Sequence, residues 1–312
     1  MQDCEYELVI IGGGPAGITA GIYASRARLK TLLIEKAIIG GQINYTDRID
    51  NYPGFQNGIT SCELSQNFEK QIRELGLPVE QSEVKEISFQ GKEQYVKLAD
   101  RNIKSKAVIL ATGAIPNILG VEGEAKLTGR GVSYCATCDG PLFRNLRVAV
   151  VGGGDKALEE ALFLSKIAKE VYIIHRRDTF RGARILQEKA SSENNIHMVW
   201  NSVVEKIDGN QSVQSITLKD VRTQERKELT LDGVFIFIGI HPNSELLRDK
   251  VKLDSLRCII TDDTMGTSEP GVYAAGDVRS KQLRQVTTAV GDGATAAYSA
   301  QRYLEDLKTP NG

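Results

Sequence analysis

One supersecondary unit occurs twice in this chain, and that repetition limits the fold more than any other feature. Residues 7–11 read as a buried strand, followed by Gly12-Gly13-Gly14-Pro15-Ala16-Gly17, a helical stretch through Arg28, and a second strand, Thr31–Ile34, that ends at Glu35. From Arg147 the parts return: strand Val148–Val151, then Gly152-Gly153-Gly154-Asp155-Lys156-Ala157, a helical Leu158–Ala168, and strand Val171–Ile174 ending at His175-Arg176-Arg177. In both copies eighteen residues separate the last fingerprint position from the strand end, Gly17 from Glu35 and Ala157 from His175. A lone glycine fingerprint is a weak signal. Two copies, each between a strand and a helix, predict an α/β chain with two Rossmann-like dinucleotide-binding domains.

The parts have one physical purpose. One glycine (Gly12, Gly152) makes the tight turn, another (Gly14, Gly154) lets a pyrophosphate approach the backbone, and a small third residue (Gly17, Ala157) lets helix and strand touch. The helix start (Pro15 and Ala16; Asp155) then presents free N–H groups to phosphates. The strand ends divide the ligands. Glu35 suits a ribose 2′-hydroxyl and repels a 2′-phosphate, so the first unit is expected to hold FAD or NAD. Arg176 and Arg177, with His175 before them and Arg181 after, suit a 2′-phosphate, so the second is expected to hold NADPH; a solvated basic helix start is the plainer alternative.

Elsewhere, Thr60-Ser61-Cys62-Glu63 predicts a capping box, with Leu64, Phe68, Ile72 and Leu75 on one apolar face, Cys62 packed, and Gly76 as the stop. The segments 84–88, 95–98 and 107–110 read as short strands. The last runs into Ala111-Thr112-Gly113, a place for backbone to meet a cofactor. Gly276-Asp277 follows a small-residue strand, where Asp277 is placed to bond a flavin's ribityl chain, to cap a helix, or both. Residues 291–307 form a helix rich in small residues. These readings predict a discontinuous first domain, 1–114 with 244–312, and an inserted second domain, 115–243. Prolines near both crossings permit rigid-body rotation.

The five cysteines are an odd count and do not predict a secreted disulfide framework. Cys4, Cys62 and Cys258 are solitary, whereas Cys135-Ala136-Thr137-Cys138 is a redox spacing. Zinc needs further ligands, and neither a second such pair nor a histidine spacing supplies them. The carboxyl of Asp139, beside the pair, is placed to give or take the proton of thiol exchange, with a helix cap as the alternative. A net charge of −1 gives no field for nucleic acid. No apolar run is long enough to span a bilayer and the N-terminus does not read as a signal peptide, so no membrane and a cytoplasmic location are expected.

Together the motifs resemble the low-molecular-weight thioredoxin reductases along essentially the whole chain. They include Gly12–Gly17, Gly40-Gly41-Gln42, Asn51-Tyr52-Pro53-Gly54, Ala111–Gly113, Cys135–Gly140, Gly152–Ala157, His175–Arg181, Pro242-Asn243, Gly276-Asp277-Val278 and Arg284-Gln285-Val286. The resemblance implies a homodimer with one FAD per subunit, surrounded by Gly40–Gln42, Asn51, Asp277 and the stretch Arg284, Gln285, Val286 to Ala289. It implies that Cys138 faces the flavin, that Cys135 attacks the disulfide of thioredoxin, and that the NADPH domain rotates. Lys156 departs from the family, which often carries serine there; it either adds a phosphate contact or is simply exposed. Ferredoxin–NADP reductases of this architecture lack the cysteine pair, and dithiol oxidases tend to lose the basic motif. A redox-sensing flavoprotein without turnover is the alternative of a different class.

Overall fold

The structure is a computed structural model describing residues 4–45, 48–49 and 51–309. It divides into two compact units, Met1–Ile115 with His241–Gly312, and Pro116–Ile240.

The first unit is built on a seven-stranded sheet. Thr31–Glu35, Cys4–Ile11 and Asn102–Leu110 run parallel, with Cys4–Ile11 in the middle. Leu8, Val9 and Ile10 are fully buried there, as a central parallel strand covered on both faces requires. Val79–Gln81 extends the parallel set beyond Thr31–Glu35. The free edge of Asn102–Leu110 is shared: Glu93–Lys97 pairs antiparallel with its first half, and Val272–Ala274, from the returning chain, pairs parallel with its second. The returning chain thus completes the same sheet.

Pro15–Arg26 packs against the long C-terminal helix Val286–Lys308. The facing residues are small, Ala16, Ala20 and Ala24 against Ala289, Ala296 and Ala300, so the backbones come close. A Cβ on Gly293 would strike the Ala16 carbonyl. The first helix stops before Arg28, whose φ of 57° leaves the helical region.

Ser61–Glu74 is amphipathic as expected, and Thr60 Oγ1 accepts the Glu63 N–H at 3.2 Å. Leu64, Phe68 and Ile72 are buried, but two expectations fail. Leu75 lies beyond the helix end and is exposed. Cys62 is also exposed, because two residues of helix carry it to the side opposite Leu64; Gln66 Nε2 donates to its sulfur at 3.4 Å. Cys258 is fully buried, while the side chain of Cys4 lies outside the described residues.

The second unit has a five-stranded parallel sheet in the order Val132–Ser133, Gly233–Phe237, Arg147–Gly152, Glu170–Ile174, Ile196–Val199. A three-stranded antiparallel sheet, Ser202–Asp208, Ser215–Asp220 and Arg226–Thr230, covers one face. Asp155–Ser165 packs on the other through Ala157, Leu158, Ala161 and Leu164, all fully buried. Each unit fastens its own end of the crossing. In the first, Thr112 Oγ1 donates to the Asn243 carbonyl (2.7 Å) and Asn243 Nδ2 to the Thr112 carbonyl (2.8 Å). In the second, the Asn117 N–H donates to the Gly239 carbonyl (3.0 Å).

Candidate active site: two glycine turns and a disulfide

Both glycine fingerprints form strand–turn–helix corners of the same design. Gly12 (φ +109°) and Gly152 (φ +156°) make the turn, and a Cβ at either would meet carbonyl oxygen, that of Ala111 or of Phe237. The helix N-caps are Gly14 and Gly154, and neither has a side chain to satisfy the first-turn N–H groups. Around both caps there is space. A Cβ on Gly154 would touch nothing within 4 Å, and one on Gly14 only the Gly41 Cα at 4.0 Å. Open space in front of uncapped N–H groups is the cradle a pyrophosphate needs, so both corners fit a dinucleotide.

In the first unit Glu35 Oε2 accepts the Gly13 N–H at 2.6 Å and Oε1 accepts the Ala37 N–H at 2.8 Å. The carboxylate is therefore fixed at the turn with lone pairs to spare. The Gly40 N–H donates to the Gly13 carbonyl at 2.8 Å, which joins the Gly40-Gly41-Gln42 loop to the same corner. Asn51 Nδ2 donates to Gln285 Oε1 at 2.9 Å, and Gln285 forms a capping box with Thr288 at the start of the last helix, ahead of Val286 and Ala289. Arg284 is occupied with the chain itself. Its Nη1 donates to the Lys281 carbonyl at 2.9 Å, and its Nη2 lies 3.5 Å from Cys258 Sγ. Burial pushes the Cys258 thiol up, with Asp254 adding to the effect.

Asp277 sits in a short 3-10 turn, Gly276–Val278, and does not cap a helix. Its Oδ1 is buried without a hydrogen-bond partner. Burial raises its pKa, against the pull of Lys281 and Arg284. Lys281 Nζ stands 4.0 Å from Oδ1, too far for a hydrogen bond. A buried carboxylate oxygen without a hydrogen bond is costly, and a ligand hydroxyl would satisfy it. The sequence reading missed Asp292. It accepts the Gly276 N–H (3.1 Å), Arg279 Nη1 (2.9 Å) and Lys281 Nζ (2.8 Å), and so fixes the turn that carries Asp277. A charged residue between two glycines in an otherwise small-residue helix was the available signal.

In the second unit the His175 ring lies against Gly153, where a Cβ would collide with it, and packs beside Phe180 and Trp200. Nε2 is buried without a partner. Burial depresses the histidine's pKa; a backbone hydrogen bond at Thr179 opposes this and Arg181, Arg177 and Arg176 reinforce it. The three arginines are exposed and make no ion pair among the described residues. Their loop is clamped to the corner: the Arg181 N–H donates to the Gly153 carbonyl (2.7 Å) and the Ala183 N–H to Asp155 Oδ1 (2.6 Å). Lys156 is exposed, as the plainer expectation had it, but it is not a free cation. It pairs with Glu160, one turn on, whose side chain is 7% exposed.

The same unit carries the Cys135–Cys138 disulfide, with Cα atoms 5.3 Å apart. Cys135 is the N-cap of a short helix, Ala136–Asp139, and its sulfur accepts the Cys138 N–H at 3.2 Å. Asp139 ends that helix and stands at the N-cap position of the following 3-10 turn, Gly140–Phe143, where its side chain makes no capping hydrogen bond. Its Oδ2 lies 2.6 Å from the hydroxyl of Ser133, a buried residue that no sequence signal singled out. Among the described residues no cluster has metal-ligand geometry and no helix is long and apolar enough to cross a membrane.

The profile of the pyridine nucleotide-disulphide oxidoreductases matches residues 6–293. The thioredoxin reductase of Peptoclostridium acidaminophilum is 45% identical over 306 residues, 96% of this chain and 97% of that protein. That of Bacillus subtilis strain 168 is 44% identical over 97% of this chain and 96% of its own. The crystal structure of thioredoxin reductase from Streptococcus pyogenes MGAS5005 superposes with a TM-score of 0.93 at 43% identity, covering 98% of this chain and all of that one. With two dinucleotide corners and a redox-spaced disulfide, the chain belongs to the pyridine nucleotide-disulphide oxidoreductase family and, within it, to the low-molecular-weight thioredoxin reductases.

Proposed function

We propose that this chain is an NADPH-dependent thioredoxin-disulfide reductase that works through the Cys135–Cys138 pair and acts as a cytoplasmic homodimer. The observation that carries the reading is one inserted unit bearing both an arginine-flanked dinucleotide corner and a redox disulfide. FAD belongs to the first unit. Gly12, Gly14, Pro15, Ala16 and Gly17 cradle its pyrophosphate and Glu35 takes its ribose. Gly40–Gln42, Asn51, Ala111–Gly113, Gly276, Asp277, Arg284–Val286 and Ala289 enclose the rest. NADPH belongs to the second, on Gly152, Gly154, Asp155 and Ala157, with Arg176, Arg177 and Arg181 on the 2′-phosphate. His175 shapes that corner from beneath Gly153.

When bound, FAD supplies the two-electron carrier between NADPH and the disulfide. The protein's own chemistry is dithiol–disulfide exchange. Asp139 takes the proton of the Cys135 thiol, and the Cys135 thiolate attacks one sulfur of thioredoxin's disulfide. That bond breaks, and its leaving sulfur receives the proton back from Asp139. The Cys138 thiolate then attacks Cys135 Sγ, re-forms the protein disulfide and releases thioredoxin's second sulfur. Two electrons leave the Cys135/Cys138 dithiol for thioredoxin, and Asp139 ends ionised as it began. Oxidation of NADPH coupled to thiol release from oxidised thioredoxin tests the reading. Cys135→Ser and Cys138→Ser are each expected to abolish coupled turnover, and a variant that retained it would disprove the relay.

A further inference from the structure

The Ser133 hydroxyl has three polar neighbours. Asp139 Oδ2 lies at 2.6 Å, the Cys135 carbonyl oxygen at 3.2 Å and the Cys135 N–H at 3.1 Å. Ser133 is 4% exposed, on the edge strand that leads into the cysteine pair, so its hydroxyl is shielded from water while Asp139 is half-buried. A hydroxyl has one hydrogen to give and two lone pairs to receive. The Cys135 N–H takes one lone pair. The single hydrogen then has two acceptors within reach, the carboxylate and the carbonyl.

We propose that Ser133 is the positioning residue for Asp139, a hydroxyl rotor that fits both protonation states of that carboxyl. With Asp139 ionised, the hydroxyl donates to Oδ2. With Asp139 protonated, the carboxyl donates to Ser133 Oγ, and the hydroxyl turns its hydrogen to the Cys135 carbonyl. Both arrangements keep the Ser133 hydroxyl and Asp139 Oδ2 hydrogen-bonded without moving a heavy atom. Asp139 can therefore take a proton from Cys135 and return it to the leaving sulfur without losing its place. The Cys135 N–H and carbonyl that complete the arrangement belong to the attacking residue itself, so Ser133 ties the carboxyl to the nucleophile's backbone. This inference rests on the reading that Asp139 carries the proton.

The test is a double-mutant cycle on the FAD-loaded enzyme, with Ser133→Ala, Asp139→Asn and the double variant compared with the parent. Flavin content is checked first, and kcat for thioredoxin reduction is followed against pH. Ser133→Ala should slow turnover about tenfold, a part of the 10²–10⁴ that positioned proton transfer contributes. It should also move the acid limb to higher pH, because the carboxylate loses a donor that favours its charged form. In the Asp139→Asn background the same change should cost nothing more, since both act through one group. A Ser133→Ala enzyme with the parent's rate and acid limb, beside a slow Asp139→Asn, would overturn the rotor and leave the Asp139 reading standing. Undiminished loss in the Asp139→Asn background would place Ser133's effect on the Cys135 backbone alone and also overturn it. Parental turnover in Asp139→Asn would sink the proton role itself.

Discussion

In the first glycine turn the strand-end carboxylate of Glu35 accepts the Gly13 N–H; in the second the strand-end imidazole of His175 lies against Gly153 and leaves its Nε2 without a partner. Both side chains reach the middle glycine of the turn in front of them. Glu35 brings the ligand-reading group to the corner itself and fixes it with two backbone hydrogen bonds. His175 acts as an apolar-packed spacer, and the ligand-reading charge moves out to Arg176, Arg177 and Arg181, on an exposed loop clamped at Gly153 and Asp155. One backbone design thus presents a fixed acceptor in one unit and a cationic rim in the other. The difference lies in a few residues at one strand end.

The sharpest way to break the comparison is at the shared backbone. Gly12→Val puts a branched side chain at φ +109° against the Ala111 carbonyl, and should abolish FAD retention and cost at least about 3 kcal/mol of stability. Gly14→Ala, with open space around it, should fold normally. Thermal melts and flavin absorbance per chain separate the two. At the rim, Arg176→Ala with Arg177→Ala should raise the KM for NADPH about a hundredfold, from two lost charge-assisted contacts, and leave that for NADH nearly unchanged. Equal losses for both nucleotides would mean the arginines shape the loop and do not read the phosphate.

Asp277 offers a subtler contrast. Its pKa is raised by burial from an ordinary value of 3.8, so between that value and the raised one the folded apoprotein holds more of the proton than the unfolded chain does. Stability then falls as pH rises from the ordinary aspartate range through the raised value, and stays lowered above it. Asp277→Asn should therefore raise the neutral-pH Tm of the flavin-free protein while weakening FAD binding; a lower Tm would mean that the carboxylate is satisfied within the fold. The smallest effect is expected at Lys156. Its partner is Glu160, so Lys156→Ser should change the KM for NADPH by no more than about twofold. A tenfold rise would show that the lysine leaves Glu160 for the nucleotide.

The repeated unit was legible because its signals are local: glycines at fixed spacing, a strand before and a helix after, and a strand-end residue eighteen positions on. The Cys135/Cys138 spacing was legible for the same reason. What stayed hidden depends on residues far apart in the chain or on which way a helix faces. Asp292 meets Gly276 from the last helix, 16 residues on, and the glycines beside it mark it without saying that it will accept from Gly276, Arg279 and Lys281 together. Ser133 stands beside the cysteines in sequence, but its bond to Asp139 exists only because the short helix folds the carboxyl back over the strand end. Cys62 and Leu75 were misread at helix ends, where apolar spacing no longer decides burial.

The central claim is that electrons entering at the second glycine turn finish on the Cys135–Cys138 pair. Anaerobic titration of the FAD-loaded enzyme with NADPH tests it directly. The account predicts that the parent enzyme takes up reducing equivalents beyond those that bleach its flavin, with free thiols appearing in step, and that Cys135→Ser and Cys138→Ser stop at the flavin. Equal uptake by the parent and both variants, with no thiols formed, would contradict it.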